Sequence, residues 1–272
     1  MTQSLKAAAL YAYDLALKAG EKIMLYYTSP DKLVPEYKAD HSPLTQADKT
    51  AHEIITQGLK TYVLGGNTIP VLSEEGEMVP FSERQNWERY WCVDPLDGTK
   101  EFLEHNDEFT VNIALIQHHE PIVGIIYVPA KRCGYLAWHG GGAYFCSEKG
   151  ERERIVSKSP PHKPYRVLVS RHHGFDTLQP WLAILGETTL VHQGSALKFC
   201  ALAKGEADIF FRLSPTSEWD NAAGQCLLEE AGGALFTFKN EPVVYNRSGI
   251  LEHSRFIAVG DKAYDWIKKL SF

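Results

Sequence analysis

Cysteine chemistry is scarce in this chain. Its five cysteines, Cys92, Cys133, Cys146, Cys200 and Cys226, are odd in number, widely spaced and form no C-x-x-C. That argues against a disulfide framework and against the usual zinc spacings. Long apolar runs are missing too: nothing approaches the ~20 residues of a membrane-spanning helix. The first residues interleave Lys6, Asp14, Lys18 and Glu21 with their apolar positions, unlike the unbroken core of a secretory leader. A cytoplasmic location is the expectation, with peripheral association at the inner membrane left open. No polybasic arm stands out, and the formal net charge is −6, so the overall field favours neither nucleic acid nor an anionic membrane. A small anionic substrate would therefore need a local positive centre, which directs attention to metal ions. Internal repeats and low-complexity linkers are also absent.

What is present reads as an ordinary globular protein. At 272 residues, 44% apolar and 23% charged, the chain fits one large domain or two tightly joined halves. Residues 3–27 space Leu5, Ala8, Ala12, Leu15, Ala19, Ile23 and Tyr26 three or four apart, one face of an amphipathic helix closed near Ser29-Pro30. A second helix starts after Thr45, which can cap it, with Asp48 at the third helical position; Gly65-Gly66 closes that element. Strand patterns follow at 69–72, 90–93, 109–117, 122–128, 132–138 and 143–146, with turns at 129–131 and 140–142. From about Arg166, strands (167–170, 189–192, 207–211, 234–238, 256–259) alternate with helices (177–185, 196–204, 218–231, 262–269). The prediction is an α/β (α+β) fold with an antiparallel half, residues 1–160, and an alternating half, residues 161–272, dividing near residues 157–164 within one unit.

Acidic residues fall at the punctuation of this pattern. Glu74 and Glu75 follow one strand, Asp94 ends another, Asp97 comes three residues later, and Asp220 lies in the first turn of a helix. Strand ends and helix starts are where a rigid scaffold aims side chains into a shared cleft. In Asp94-Pro95-Leu96-Asp97-Gly98-Thr99, Pro95 cannot continue the ladder, so the strand is expected to stop abruptly. Gly98 permits a tight backbone. The bend would turn both carboxylates and the Leu96 carbonyl toward one point, an oxygen set that suits Mg²⁺. Ions there would hold phosphate oxygens and lower the pKa of a bound water. Singly, each feature is ordinary: a turn, a solvated acidic loop, a helix cap favoured by the dipole. The conjunction is not.

Three stretches, Ser73-Glu74-Glu75-Gly76, Asp94-Pro95-Leu96-Asp97-Gly98-Thr99-Lys100-Glu101-Phe102 and Trp219-Asp220-Asn221-Ala222-Ala223-Gly224, resemble in order and spacing the lithium-sensitive inositol monophosphatase superfamily. The closer similarity is to its 3′(2′),5′-bisphosphate nucleotidase branch, through Leu72-Ser73-Glu74-Glu75, Lys100-Glu101-Phe102, Phe109-Thr110-Val111-Asn112-Ile113-Ala114-Leu115 and Gly194-Ser195-Ala196-Leu197-Lys198-Phe199-Cys200. It runs from Ser42 to the helix after Asp220. The resemblance implies a layered α-β-α-β-α sandwich and Mg²⁺ as cofactor. Glu74, Asp94 and the Leu96 carbonyl would hold one ion; Asp94, Asp97 and Asp220 a second. A third, looser ion would join near Glu74. Thr99, paired with Asp48 and close to Glu74, would orient a water for direct in-line attack, with no phosphoenzyme.

The substrate implied is adenosine 3′,5′-bisphosphate, cleaved to AMP and phosphate, together with its sulfated precursor. Glu74, Leu96, Asp97, Gly98, Thr99 and Asp220 would border the reacting phosphate. Ser195, Lys198 and Arg212 would meet the nucleotide and its second phosphate, and His173 would approach the base. Free N–H groups at the helix start after Gly194-Ser195 offer an anion further help. Arg212 at a strand end also reads as a cation snorkelling to the surface. Two other readings stay open: an inositol or sugar monophosphatase, and a non-catalytic nucleotide or metal sensor. The Asp48–Thr99 pair counts against the sensor, since a binder has no use for a positioned water. Oligomeric state is not legible.

Several motifs lead elsewhere. Cys146 to Arg152 has the C-x₅-R spacing of cysteine phosphatases, but Glu148 and Glu151 oppose a thiolate there. Gly140-Gly141-Gly142 lacks the Lys-Ser/Thr of a P-loop and reads as a hairpin. The pairs His118-His119 and His172-His173 would face opposite ways in a strand, a poor zinc site.

Overall fold

Helix α1 (Thr2–Tyr27) carries a stripe of small residues, Ala8, Ala12, Ala16 and Ala19, all fully buried. With no long side chains in the way, it lies close against a sheet beside α2 (Gln46–Thr61). The computed structural model describes residues 2–29, 36–37, 43–171 and 175–270. The start of α2 is a capping box: the Thr45 hydroxyl accepts from Ala47 N at 3.1 Å, and Asp48 Oδ2 accepts from Thr45 N at 2.8 Å.

The sheet beneath these helices has seven strands: β1 (Val71–Ser73), β2 (Arg89–Asp97), β3 (Thr110–Gln117), β4 (Glu120–Val128), β5 (Cys133–Trp138), β6 (Gly142–Cys146) and β7 (Arg152–Ile155). They lie side by side in chain order; β1 is parallel to β2 and the rest form an antiparallel meander. Two short helices flank β2: α3 (Phe81–Arg84) before it and α4 (Thr99–Leu103) after it.

Beyond residue 160 the connections change. Strands β8 (Tyr165–Val169), β9 (Thr188–His192), β10 (Ile209–Arg212), β11 (Ala234–Thr237) and β12 (Phe256–Val259) form a second sheet in the order β9-β8-β10-β12-β11. The β8–β9 and β8–β10 pairs are parallel and need helical crossovers, α5 (Phe175–Leu185) and α6 (Leu197–Ala203). Helix α7 (Glu218–Ala231) follows β10, and α8 (Trp266–Leu270) closes the described chain.

Three apolar cores stack these elements. In the first, Ile23, Ile55 and Leu59 of α1 and α2 meet Trp91, Val111 and Ile125 of the large sheet. In the second, Phe199 of α6 and Leu227 of α7 lie between Tyr90 and Ile126 on one side and Phe210 and Phe256 on the other. In the third, the outer face of the small sheet packs Val167 and Ile257 against Leu185 and Trp266. The layers are thus α-β-α-β-α, as the resemblance implies, and the middle core draws on residues from both sides of 157–164.

The structure corrects some expected elements. Gly65-Gly66 does not end α2, which stops at Thr61; with φ of 67° and 87° it turns a short hairpin pairing Val63–Leu64 with Asn67–Thr68. Strand β7 has no apolar alternation to announce it, because it is a charged edge strand. The last helix is shorter than expected. Pro95 does not stop its strand: β2 runs on to Asp97 with a bulge, Asp94 pairing with Asn112 and Asp97 with Thr110. Lacking an N–H, Pro95 fits where the ladder is already broken. The bulge has a consequence for chemistry. In a regular strand, residues three apart point to opposite faces; one extra residue brings Asp94 and Asp97 to the same side.

Candidate active site

Helix α7 brings the third carboxylate to the bulge. Its N-cap is Ser217, and Asp220 at the third helical position accepts from Ser217 N at 3.1 Å and from the Thr216 hydroxyl at 2.5 Å. These bonds occupy Oδ2 and fix the rotamer. Asp94, Asp97 and Asp220 then each place a carboxylate oxygen within 4.8 Å of the others. Asp94 is fully buried and braced by Leu96 N at 3.0 Å. Asp97 Oδ2 accepts from Ala196 N at 2.6 Å and from Asn112 Nδ2 at 3.3 Å.

Crowding and burial raise the proton affinity of the group. Burial pushes Asp97 up to about 7, reinforced by the charge of Asp220. Burial and the nearby Glu74 lift Asp220 to about 6 against the pull of its Thr216 bond. Asp94 is held well above the usual carboxylate range by burial, then by the charges of Glu74, Asp97 and Asp220, and its carboxyl hydrogen-bonds that of Glu74. Like charges packed in low dielectric are costly unless a proton or cation joins them. The donors are all oxygen and project from rigid elements, a set that fits Mg²⁺.

Next to this cluster, Thr99 Oγ1 donates to Asp48 Oδ1 or to the Leu96 carbonyl, each 3.3 Å away. Asp48 is buried, and burial raises its pKa while Thr45 holds it down. Since Thr45 uses Oδ2, Oδ1 is the oxygen turned to Thr99. Gly98 has φ 88°, and a Cβ there would come within 3.2 Å of Ser195 Cβ and of Glu101 Oε2. Glycine is therefore needed both for the turn and for the close approach.

The cluster opens into a cleft of about 580 Å³ including its mouth, lined by Asp97 and Asp220 and by Ser195, Lys198, Phe210, Arg212 and Arg171. The Lys198 ammonium donates to the Ser195 carbonyl at 2.7 Å and sits 5.5 Å over the Phe210 ring. Burial lowers its pKa to about 8, although Asp97 pulls the other way. Arg212 donates from Nε to Ser214 O and from Nη2 to Pro215 O, which holds its guanidinium at the rim rather than snorkelling away.

The structure thus brings together Asp48, Glu74, Asp94, Leu96, Asp97, Gly98, Thr99 and Asp220, and joins Ser195, Lys198 and Arg212 to them through one cleft. His173 lies outside the described residues. Of the N–H groups expected to meet an anion around Ser195, two are already taken: Glu108 accepts from Gly194 N at 2.7 Å and Asp97 from Ala196 N. The Cys146–Arg152 spacing is a hairpin register, the two residues facing each other across β6 and β7, with the Cys146 thiol pushed up by burial. His118 and His119 sit in a tight turn at φ 49° and 71°, and His119 bonds the Tyr245 carbonyl. Sequence reasoning passed over Glu108 and Arg171, whose mutual bond spans 63 residues and carries no local signal.

The sequence model of the inositol monophosphatase family matches residues 5–267, and the chain belongs to that family. Within it, the similarity has a direction. The 3′(2′),5′-bisphosphate nucleotidase CysQ of Escherichia coli (strain K12) is 42% identical over 232 residues, covering 85% of this chain and 91% of the relative. The protein of the same name from Haemophilus influenzae is 31% identical over 93% of this chain and 92% of its own. The crystal structure of CysQ from Bacteroides thetaiotaomicron, itself described as a bacterial member of the inositol monophosphatase family, superposes with a TM-score of 0.81 at 39% identity, covering 93% of this chain and 97% of that one. The chain is a phosphatase of this family. Among the described residues, no helix is long and apolar enough to cross a membrane.

Proposed function

We propose that the protein hydrolyses the 3′-phosphate of adenosine 3′,5′-bisphosphate, giving AMP and phosphate, and accepts the 5′-phosphosulfate analogue in the same cleft. The observation that carries this reading is a single cleft lined both by carboxylates of the acidic cluster and by two cations, Lys198 and Arg212. A monophosphate occupies only the acidic end; a second anionic group gives the cations a partner. The bisphosphate nucleotidases to which the chain is similar point the same way.

Glu74, Asp94, the Leu96 carbonyl, Asp97 and Asp220 would hold Mg²⁺, two ions with room for a third, supplying charge neutralisation for the phosphate and a more acidic water. The chain's own groups do the rest. With its proton directed to Asp48, the Thr99 hydroxyl presents a lone pair that accepts from a water and aligns it. Asp48, already hydrogen-bonded at its other oxygen, fixes that polarity. Lys198 and Arg212 bind the 5′-phosphate, Ser195 lines the cleft beside them, and His173 meets the base.

Phosphate release from adenosine 3′,5′-bisphosphate, compared with inositol 1-phosphate and with and without Mg²⁺ and Li⁺, tests the reading. Strong preference for the nucleotide is expected. Preference for inositol 1-phosphate would overturn the substrate assignment, and metal binding without turnover of either compound would point to a sensor.

A further inference from the structure

Ser195 is strained in an informative way. Its φ is 40°, the left-handed region that a residue with a Cβ seldom enters. The peptide N–H groups on either side hold it there. Gly194 N donates to Glu108 Oε2 at 2.7 Å, and Ala196 N donates to Asp97 Oδ2 at 2.6 Å. One staple therefore belongs to the acidic cluster and the other to a carboxylate outside it.

Glu108 is itself held. Arg171 Nε and Nη2 donate to its two oxygens at 2.7 and 2.6 Å, a bidentate pair across 63 residues. The carboxylate is nearly buried, and the bonds from Arg171 and Gly194 bring its pKa below the ordinary value against the effect of burial. The Glu108 backbone carbonyl lies 3.4 Å from where a Cβ on Gly98 would stand, so the same residue abuts the turn after Asp97. Gly194 is closely packed as well: a Cβ there would come within 2.9 Å of Glu101. The Ser195 carbonyl fixed by this arrangement is the one that receives the Lys198 ammonium.

We infer that Glu108 and Arg171 form a positioning pair for the nucleotide wall, holding Ser195 in its left-handed conformation so that Lys198 faces the second phosphate. The pair brings its own countercharge, so Arg171 adds no net positive charge to the cleft. Its contribution is geometry, and it is selective: it shapes the wall that meets the nucleotide and touches the acidic cluster only through the Ala196 N–Asp97 bond, while Asp94 and Asp220 are braced separately by Leu96 N, Thr216 and Ser217. This role rests on the bisphosphate reading above.

The test compares kcat/KM for adenosine 3′,5′-bisphosphate and for p-nitrophenyl phosphate, a small ester with no nucleoside and no second phosphate. Wild type, Arg171→Ala, Arg171→Lys and Glu108→Gln are assayed, with Mg²⁺ binding to each followed by calorimetry. Arg171 is partly exposed, so its replacement spares the cores. The expected result is a fall of about 10- to 100-fold in the nucleotide-to-ester ratio for Arg171→Ala, the range seen when groups that orient ligating side chains are removed. The fall should appear as a higher KM for the nucleotide, with Arg171→Lys intermediate and Mg²⁺ affinity close to wild type. An unchanged ratio, or loss of both activities in step with Mg²⁺ binding, would overturn the positioning role. A wild type that cleaves the ester but leaves the nucleotide intact would instead overturn the substrate reading beneath it.

Discussion

The two ends of the cleft balance charge in opposite ways. At the acidic end, burial first and then the charges of neighbouring carboxylates raise the proton affinity of Asp94, Asp97 and Asp220. At the nucleotide wall, each cation has protein partners: Arg171 has Glu108, Lys198 has the Ser195 carbonyl, and Arg212 has Ser214 O and Pro215 O. One end is frustrated until a cation arrives; the other is assembled in advance. A phosphatase for a small substrate with two phosphate groups needs both, a site that captures metal strongly and a wall whose shape costs nothing to form at the moment of binding.

The largest effect should come from touching the frustrated end. Asp97→Asn keeps an oxygen for Ala196 N but removes a charge from the cluster. We expect turnover to fall by about 10³-fold or more, as when charge stabilisation of the transition state is lost, while the metal-free protein melts no lower than wild type. A large drop in melting temperature would show Asp97 to be structural instead. Thr99→Val should be milder, lowering kcat by about 10²-fold through loss of an aligned water, with Mg²⁺ affinity and nucleotide KM little changed. Unaltered kcat would remove Thr99 from the chemistry. At the assembled end, Arg212→Leu should raise the nucleotide KM by about 10- to 100-fold, the worth of one charge-assisted hydrogen bond, without weakening Mg²⁺ binding. If metal affinity fell equally, the two ends would not be separable in the way proposed.

The same contrast governs what the sequence discloses. The acidic end is built from short contiguous segments, so Asp94, Asp97 and Thr99 are legible together, and Asp220 announces itself as the third residue of a capped helix. Even there the local rule misled: Pro95 reads as a stop, yet the strand continues through a bulge, because pairing with Asn112 and Thr110 on β3 is a tertiary fact. The wall is dispersed. Lys198 was found only by resemblance, and the pair that holds Ser195 joins residue 108 to residues 171 and 194, separations of 63 and 86 that leave no periodicity to read. The antiparallel half and the alternating half were legible from the pattern, and their layering only through the resemblance, whereas the edge strand β7 was not legible, since its solvent-facing charges are what keep an edge from pairing with another chain.

The smallest predicted effect asks whether the frustration is thermodynamic. Asp97 at about 7 and Asp220 at about 6 lie above the ~3.9 of an unfolded aspartate, so the folded chain binds protons more tightly than the unfolded one. Their stabilising contribution is complete below the unfolded value and is lost as pH rises through 6 to 7. Allowing for their partial exposure, about 2 kcal/mol is at stake, or about 5 °C for a chain of this size. Metal-free protein in chelator should therefore melt lower at about pH 8 than at about pH 5. Millimolar Mg²⁺ should remove most of that slope, because the cation replaces the lost protons. A residue of the slope should survive, since burial holds Glu218 at about 7 beneath Asn246 N, outside the cluster that Mg²⁺ would neutralise. Asp97→Asn should flatten the chelator curve without reaching that remainder. Identical melting curves with and without Mg²⁺, or a melting temperature that climbs with pH in chelator, would mean the carboxylates are not in conflict, and the contrast between the two ends would fail at its origin.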